Sequence, residues 1–137
     1  MQFNLSFCDP FQKDIINLGA LSSDAIIRHF ESIPWMTYLS RMSMAREEDI
    51  YYSPSLEIAN SETKEKLSIS AVGESDEYEF YIFYKRHRMI KTISGQQEII
   101  STEHITDITG QTMQDVIDCL HAFTRNDSAF LEKKIGI

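Results

Sequence analysis

The sequence predicts one α+β domain over residues 1–137, in which an antiparallel sheet of about five strands, a meander, packs against N- and C-terminal helices. Three observations predict this class. Apolar residues recur at helical spacing near both ends of the chain, they alternate with polar residues through its middle, and no Pro/Gly-rich linker separates these regions. A chain of 137 residues also fits a single domain that can bury most of its apolar surface.

The N-terminal region begins with a predicted strand. In "QFNLSFC" the apolar residues alternate with polar ones, which is the period of a half-buried strand. Residues 10–18 then predict a short helix, because Asp9 can cap it, Pro10 suits its first position and Gly19 suits its end. A loop is the alternative, since the stretch is brief.

Two further helices are predicted before residue 50. In "SSDAIIRHFESIP" the isoleucines and the phenylalanine recur at helical spacing, serines precede them as caps, and Pro34 ends the run. Residues 34–48 also predict a helix, because the methionines and Leu39 can line one face. Trp35 and Tyr38 fit a loop wrapped around the core as well, so a loop is the alternative for this stretch.

The middle of the chain predicts the antiparallel meander. The segments "SLEIAN", "KLSISAV" and "YEFYIFYK" have the composition and period of strands, and the polar segments "SETKE" and "GESDE" between them predict turns. The segments "RMIKTI" and "EIIS" predict a fourth and a fifth strand, joined through "SGQQ".

The C-terminal region predicts helices again. Thr112 and Asp115 have the spacing of a capping box before the apolar stripe of "TMQDVIDCLHAFTRND". Ser128 can cap a last short helix over "AFLEKKI". The preceding "TEHITDITGQT" is predicted to be a polar loop that orders the start of the first of these helices.

The stretch "EYEFYIFYKRHR" predicts a strand with aromatic residues on both faces. If helices cover one face, Tyr81 and Phe83 on the other stay half exposed. Basic residues follow them, which predicts a solvated strand end; the alternative is an aromatic and anion-binding face formed by Tyr81, Phe83, Lys85, Arg86 and Arg88. Nucleic acid is not expected there, because the glycines of an RNA-binding aromatic strand are missing and the chain is acidic.

The charge of the chain favours a basic partner. Its 21 acidic and 13 basic residues give a formal net charge of −8, which repels nucleic acid and anionic membranes. Acidic residues and interface-type aromatics occur together in residues 35–52. We expect a protein-contact surface there, formed by Trp35, Tyr38, Glu47, Glu48, Asp49, Tyr51 and Tyr52, with a core position as the alternative for Trp35.

No motif in the sequence predicts a catalytic, metal or cofactor site. The four histidines lack HxxxH and HExxH spacing, and GxxxxGK[ST], GxGxxG and GxSxG are missing, so neither a metal nor a cofactor is expected. Cys8 and Cys119 show no CxxC spacing and are expected to be reduced. The one group with the composition of a general base beside carboxylates is His104 with Glu103 and Asp107.

These observations favour a non-catalytic protein-binding domain, such as an immunity- or inhibitor-type protein that blocks a basic partner. The first alternative binds a small-molecule or lipid-like ligand in a cavity between the sheet and the helices. The second is a small hydrolase-like enzyme that uses His104 and Asp107. The chain shows neither a signal peptide nor a membrane span, which predicts a cytoplasmic protein, and exposed strand edges allow a homodimer as well as a monomer.

Overall fold

The computed structural model describes the backbone of residues 3–91 and 98–137 and the side chains of residues 3–87 and 103–137. Within these ranges it contains six strands, four α-helices and one short 3-10 turn. In chain order the elements are β1 (Phe3–Cys8), β2 (Ile16–Leu21), α1 (Ser23–Ser32), α2 (Trp35–Met44), the 3-10 turn (Glu47–Asp49), β3 (Ser55–Asn60), β4 (Lys66–Glu74), β5 (Glu77–Lys91), β6 (Glu98–Gln111), α3 (Met113–Thr124) and α4 (Ser128–Ile135).

The strands form one antiparallel sheet in the order β2-β1-β3-β4-β5-β6. Strands β3 to β6 are a meander, in which each strand pairs with the next along the chain. The β1–β2 hairpin joins this meander because β1 pairs with β3. The predicted α+β class with an antiparallel sheet is confirmed, with six strands where about five were expected.

The helices cover one face of the sheet. Alternate strand residues turn inward and are fully buried, among them Leu5, Ile58, Ile69 and Ile82. The buried residues of all four helices belong to the same core cluster, so the helices pack on this face. The opposite face is formed by the intervening strand residues, which are half-buried or exposed where their side chains are described. We call it the open face.

Four of the five helices predicted from the sequence form, with small differences at their ends. Helices α1 and α2 confirm the two helices predicted before residue 50, so the loop alternative for residues 34–48 is wrong. Helix α3 begins with the predicted capping box, in which Thr112 and Asp115 each accept the other's backbone N–H. These hydrogen bonds and the ion pair with Lys134 lower the pKa of Asp115. Helix α4 is capped by Asp127, whose side chain accepts from the backbone N of Phe130, rather than by Ser128.

Residues 10–18 do not form the predicted helix. The Asp9 carboxylate accepts a hydrogen bond from the backbone N of Phe11 at 2.9 Å, which closes a tight turn instead of capping a helix. The chain then returns as β2 and pairs with β1. Gly19, with φ +82°, lies beside the register shift of this hairpin, so its backbone freedom serves a bulge and not a helix end.

Two long strands replace the predicted third, fourth and fifth strands. Strand β5 runs without interruption from Glu77 to Lys91, so "YEFYIFYK" and "RMIK" belong to one strand. Strand β6 includes most of "TEHITDITGQT", which was predicted to be a loop. Thr106 of this segment pairs with Tyr84, and His104 pairs with Arg86. The predicted connection "SGQQ" lies at residues 94–97, outside the described residues.

Candidate functional site

The open face is a broad surface of small and polar side chains with one apolar region. The side chains of this face on β1, β3 and β4 are mostly small. The strand register places three of them, Cys8, Ser55 and Ser70, side by side. The Ser55 and Ser70 hydroxyls are 2.7 Å apart, which fixes both side chains on this face. Burial, and secondarily the charge of Glu57, raises the pKa of Cys8, so its thiol is a weak nucleophile.

The apolar region lies on β5 and β6. Tyr81 and Phe83 are half-buried, and the residues opposite them on β4 are serines, which leaves one side of each ring uncovered. Ile105 of β6 pairs with Lys85 and is therefore the diagonal neighbour of Phe83, within reach of an aromatic ring. Ile105 is 46% exposed. We call Tyr81, Phe83 and Ile105 the open-face apolar cluster.

The sequence predicted half-exposed positions for Tyr81 and Phe83 but missed Ile105. The sequence does contain the pattern of a strand in this segment, since His104, Thr106 and Ile108 alternate with Ile105 and Asp107. The segment was predicted to be a loop because His104 and Thr106, on its inward side, are polar and not apolar. The structure shows that side to be only half-buried, which explains why the sheet edge tolerates them.

Charged residues border the open-face apolar cluster. Glu79, Glu103 and Asp107 are exposed on β5 and β6, and Asp107 pairs directly with Phe83. Lys66 and Lys85 occupy opposite positions on β4 and β5 at one end of the face. The Lys66 ammonium lies 3.7 Å from the Glu57 carboxylate, so part of this positive charge is balanced within the face.

The predicted basic face is divided between the two sides of the sheet. Lys85 shares the open face with Tyr81 and Phe83, as expected, whereas Arg86 points to the helix-covered side and is only 8% exposed. The inclusion of Arg86 in that face was wrong, because adjacent residues of a strand point to opposite faces. The side chain of Arg88 lies outside the described residues.

Only some of the residues predicted to form a contact surface at 35–52 are exposed. Trp35 is 2% exposed, and its ring lies 5.4 Å from that of Phe80 and 5.7 Å from that of Phe30, so a contact role for it was wrong and its core alternative was right. Tyr38 is half-buried, and burial and then the neighbouring Asp9 raise the pKa of its hydroxyl.

The acidic part of this surface is exposed, and Arg46 balances one of its three negative charges. The Arg46 guanidinium lies 3.1 Å from Glu48 and 2.9 Å from Asp49, while Glu47 extends the same 3-10 turn. Tyr51 is 52% exposed. The Tyr52 hydroxyl instead donates to the backbone O of Lys13 at 2.7 Å, which ties this aromatic side chain to the protein.

The structure does not bring His104 together with its predicted carboxylate partners. His104 pairs with Arg86 and faces the helices, whereas Asp107 pairs with Phe83 on the open face. Residues 103 and 104 are neighbours on one strand, so Glu103 also points away from His104. The catalytic arrangement expected of the hydrolase-like alternative is therefore not formed by these residues.

The centre of the interface between the sheet and the helices is closely packed, and open grooves lie at its edges. The interface is filled by fully buried side chains such as Ile26, Phe30 and Leu120. A groove beside β2 and α1, lined by residues including Ile16, Leu18 and Ile33, has a volume of about 230 Å³. Small-molecule sites are usually larger, at roughly 300–1,000 Å³.

Two features, a metal-binding group of side chains and a membrane-spanning helix, are missing from the described residues. Among residues 3–87 and 103–137, no group of three or more His, Cys, Asp or Glu side chains is placed to hold a metal ion. None of the described helices is both long enough and apolar enough to pass through a bilayer. The chain matches no protein-family model, no curated protein and no solved structure.

Proposed function

We propose that this chain is a non-catalytic protein-binding domain whose partner docks on the open face. The observation that carries the proposal is the open-face apolar cluster. An aromatic pair and an exposed isoleucine lie on a sheet face that the described helices leave uncovered. Contiguous exposed apolar groups of this kind mark interaction sites, and aromatic residues supply most of the binding energy at interfaces.

The partner that fits this face has a basic surface. Glu79, Glu103 and Asp107 surround the cluster, and the whole chain carries a formal net charge of −8. Complementary charge speeds the encounter of two proteins and disfavours acidic competitors. Lys85 supplies one contact for an acidic group within such a partner. An immunity- or inhibitor-type role against a basic protein in the cytoplasm is the function we propose.

The small residues of β3 and β4 support docking of a flat surface. Serines opposite Tyr81 and Phe83 leave room for a partner's side chains between the rings and the neighbouring strand. The surface predicted at residues 35–52 offers less, because Trp35 is buried in the core and the Tyr52 hydroxyl is bonded to the backbone O of Lys13. The open face is therefore a better candidate than the surface predicted at residues 35–52.

The proposal is tested by capture of a partner from native cell extract with two matched variants. Replacing Tyr81 and Phe83 together by threonine keeps the β-propensity of the strand and removes both rings. We expect this double variant to lose at least about tenfold in affinity for the captured protein, since each interface anchor contributes on the order of 1–2 kcal/mol. The Tyr51→Ser variant, at the competing surface, should bind as the wild type does.

Circular dichroism should first establish that both variants are folded. Equal capture by the double variant and the wild type would remove the open face from the proposal. Loss of capture in Tyr51→Ser alone would move the binding surface to residues 35–52. A captured protein that is itself acidic would contradict the proposed charge of the partner.

A further inference from the structure

Strand β6 is one of the two edges of the sheet and pairs only with β5. Between two register shifts, its residues 104–108 pair one to one with residues 82–86 of β5. We call residues 104–108 the edge run. Within the described part of the chain, its backbone groups form no hydrogen bond other than those to β5. Alternate residues of an edge strand direct their N–H and C=O groups away from the sheet, so the edge run is a template for one more strand.

The opposite edge, β2, is less suited to pairing. The register between β1 and β2 shifts at Leu5 and Ser6, which places a bulge in this edge. The backbone N–H of Gly19 donates to the Asn17 side chain at 2.9 Å, so this donor is used within β2 itself. A bulge is one of the devices by which natural sheets keep an edge from pairing. The edge run of β6, in contrast, keeps a regular register.

The side chains of the edge run on the open face specify what a neighbouring strand must present. Ile105 is 46% exposed, and Asp107 is exposed on the same side of the strand. Directly opposite pairs on neighbouring strands stabilise a sheet by about 0.2–1 kcal/mol when both side chains are apolar or when their charges are opposite. The fitting strand therefore has an apolar residue beside Ile105 and a lysine or arginine, two positions away, beside Asp107.

The same acidic residues disfavour a second copy of this chain at the edge. If two β6 strands paired antiparallel about Ile105, Asp107 of each copy would approach Glu103 of the other. If they paired about Asp107, the two aspartates would meet. Like charges opposite each other destabilise a pair of strands, and each copy carries a formal net charge of −8. A basic strand has neither conflict.

We infer that the partner of the open face adds an extended basic strand to β6, along the edge run. In this mode of recognition, main-chain hydrogen bonds provide affinity and alternate side chains provide specificity. The inference rests on the proposed function, because it names the element with which the basic partner engages that face. The strand lies beside β6, and the rest of the partner covers Tyr81 and Phe83.

The test uses a synthetic strand, the peptide acetyl-Thr-Lys-Thr-Ile-Thr-Lys-Thr-amide, titrated into the full ¹⁵N-labelled chain. Its lysines and isoleucine lie on one side of an extended backbone. The control peptide has glutamate in place of both lysines. We expect saturable shifts of the backbone amide resonances of residues 104–108 with the lysine peptide and none with the glutamate peptide. No saturable shift with the lysine peptide, or equal shifts with both peptides, would overturn the inference.

Two modified peptides separate strand addition from docking of side chains alone. One carries an N-methyl group on its central isoleucine, and the other carries it on the threonine that follows. Adjacent residues of a strand direct their N–H groups to opposite sides, so only one of the two methyl groups meets β6. We expect one modified peptide to bind about tenfold or more weakly and the other to bind as the parent does. Equal affinities of the two modified peptides would contradict strand addition.

Matched variants of the chain locate the added strand. Asp107→Asn keeps the shape of the side chain and removes its charge, so it should raise the Kd of the lysine peptide about two- to fivefold. Asp14→Asn, at an exposed position before β2, should leave the Kd unchanged. An equal effect of both variants would contradict pairing at the edge run.

Failure of this inference is distinguishable from failure of the proposed function. If the lysine peptide does not bind but the Tyr81 and Phe83 double variant loses its captured partner, strand addition is refuted and docking on the open face stands. If the peptide binds at the edge run but the double variant captures the partner as the wild type does, docking on the two rings is refuted and strand addition stands.

Discussion

Replacement of Trp35 by alanine is expected to lower the free energy of unfolding by about 3–5 kcal/mol. The indole is 2% exposed and meets three aromatic rings, those of Phe7, Phe30 and Phe80. Its Nε1 also donates to the backbone O of Phe30 at 3.3 Å. The change therefore leaves a large cavity where α1, α2 and the sheet meet, in a domain whose total stability is on the order of 5–15 kcal/mol.

Urea denaturation followed by far-UV circular dichroism measures this loss. Tryptophan fluorescence cannot serve, because Trp35 is the chain's single tryptophan. Trp35→Phe is the control, and it should cost clearly less because a phenyl ring retains part of the packing. An unfolding free energy for Trp35→Ala within about 1 kcal/mol of the wild type would contradict the core position of this residue.

Replacement of Arg86 by alanine is expected to lower the free energy of unfolding by about 2–4 kcal/mol. The guanidinium lies 4.3 Å from the centre of the Tyr84 ring and connects β5, β6 and the end of α4. Without it, the backbone O of Gly136 loses a charged donor and Glu132 loses the nearest positive charge. The last turn of α4 should then separate from the sheet more readily.

Two controls separate the roles of Arg86. Arg86→Lys keeps the charge but not the planar fork, so it should recover only part of the loss. Arg125→Ala, at an exposed position after α3, should change stability by no more than about 0.5 kcal/mol. If Arg86→Ala is as stable as Arg125→Ala, the connection between the sheet and α4 does not depend on this side chain.

Local patterns were sufficient to predict most of the fold. The alternation in β1, β3 and β4 and the capping box of α3 are short-range signals, and each is satisfied by contacts within the element or with its neighbour. Residues 10–18 were predicted wrongly because Asp9 and Gly19 suit either a helix or a turn followed by a bulge. Pairing of β2 with β1, a tertiary interaction, decides between them.

The candidate site was less predictable, because it depends on which face each strand residue occupies. Grouping Lys85 with Arg86 by sequence proximity ignored the alternation of β5, which separates the two side chains across the sheet. A polar cleft of about 420 Å³ on the helix side is formed by the β3–β4 turn, two strands and α4. Residues as distant in sequence as Glu65 and Glu132 line it together, and no local pattern predicts this.

The most direct test of the protein-binding proposal is site-specific photo-cross-linking in cells. The photoreactive residue p-benzoyl-L-phenylalanine is placed at Ile105 on the open face and, in a separate variant, at Tyr51 on the competing surface; both positions are exposed. We predict a cross-link from position 105, and none from position 51, to a partner with a basic surface. A cross-link from position 51 alone, or none from position 105, would contradict docking on the open face. A product that contains only two copies of this chain would contradict a separate basic partner.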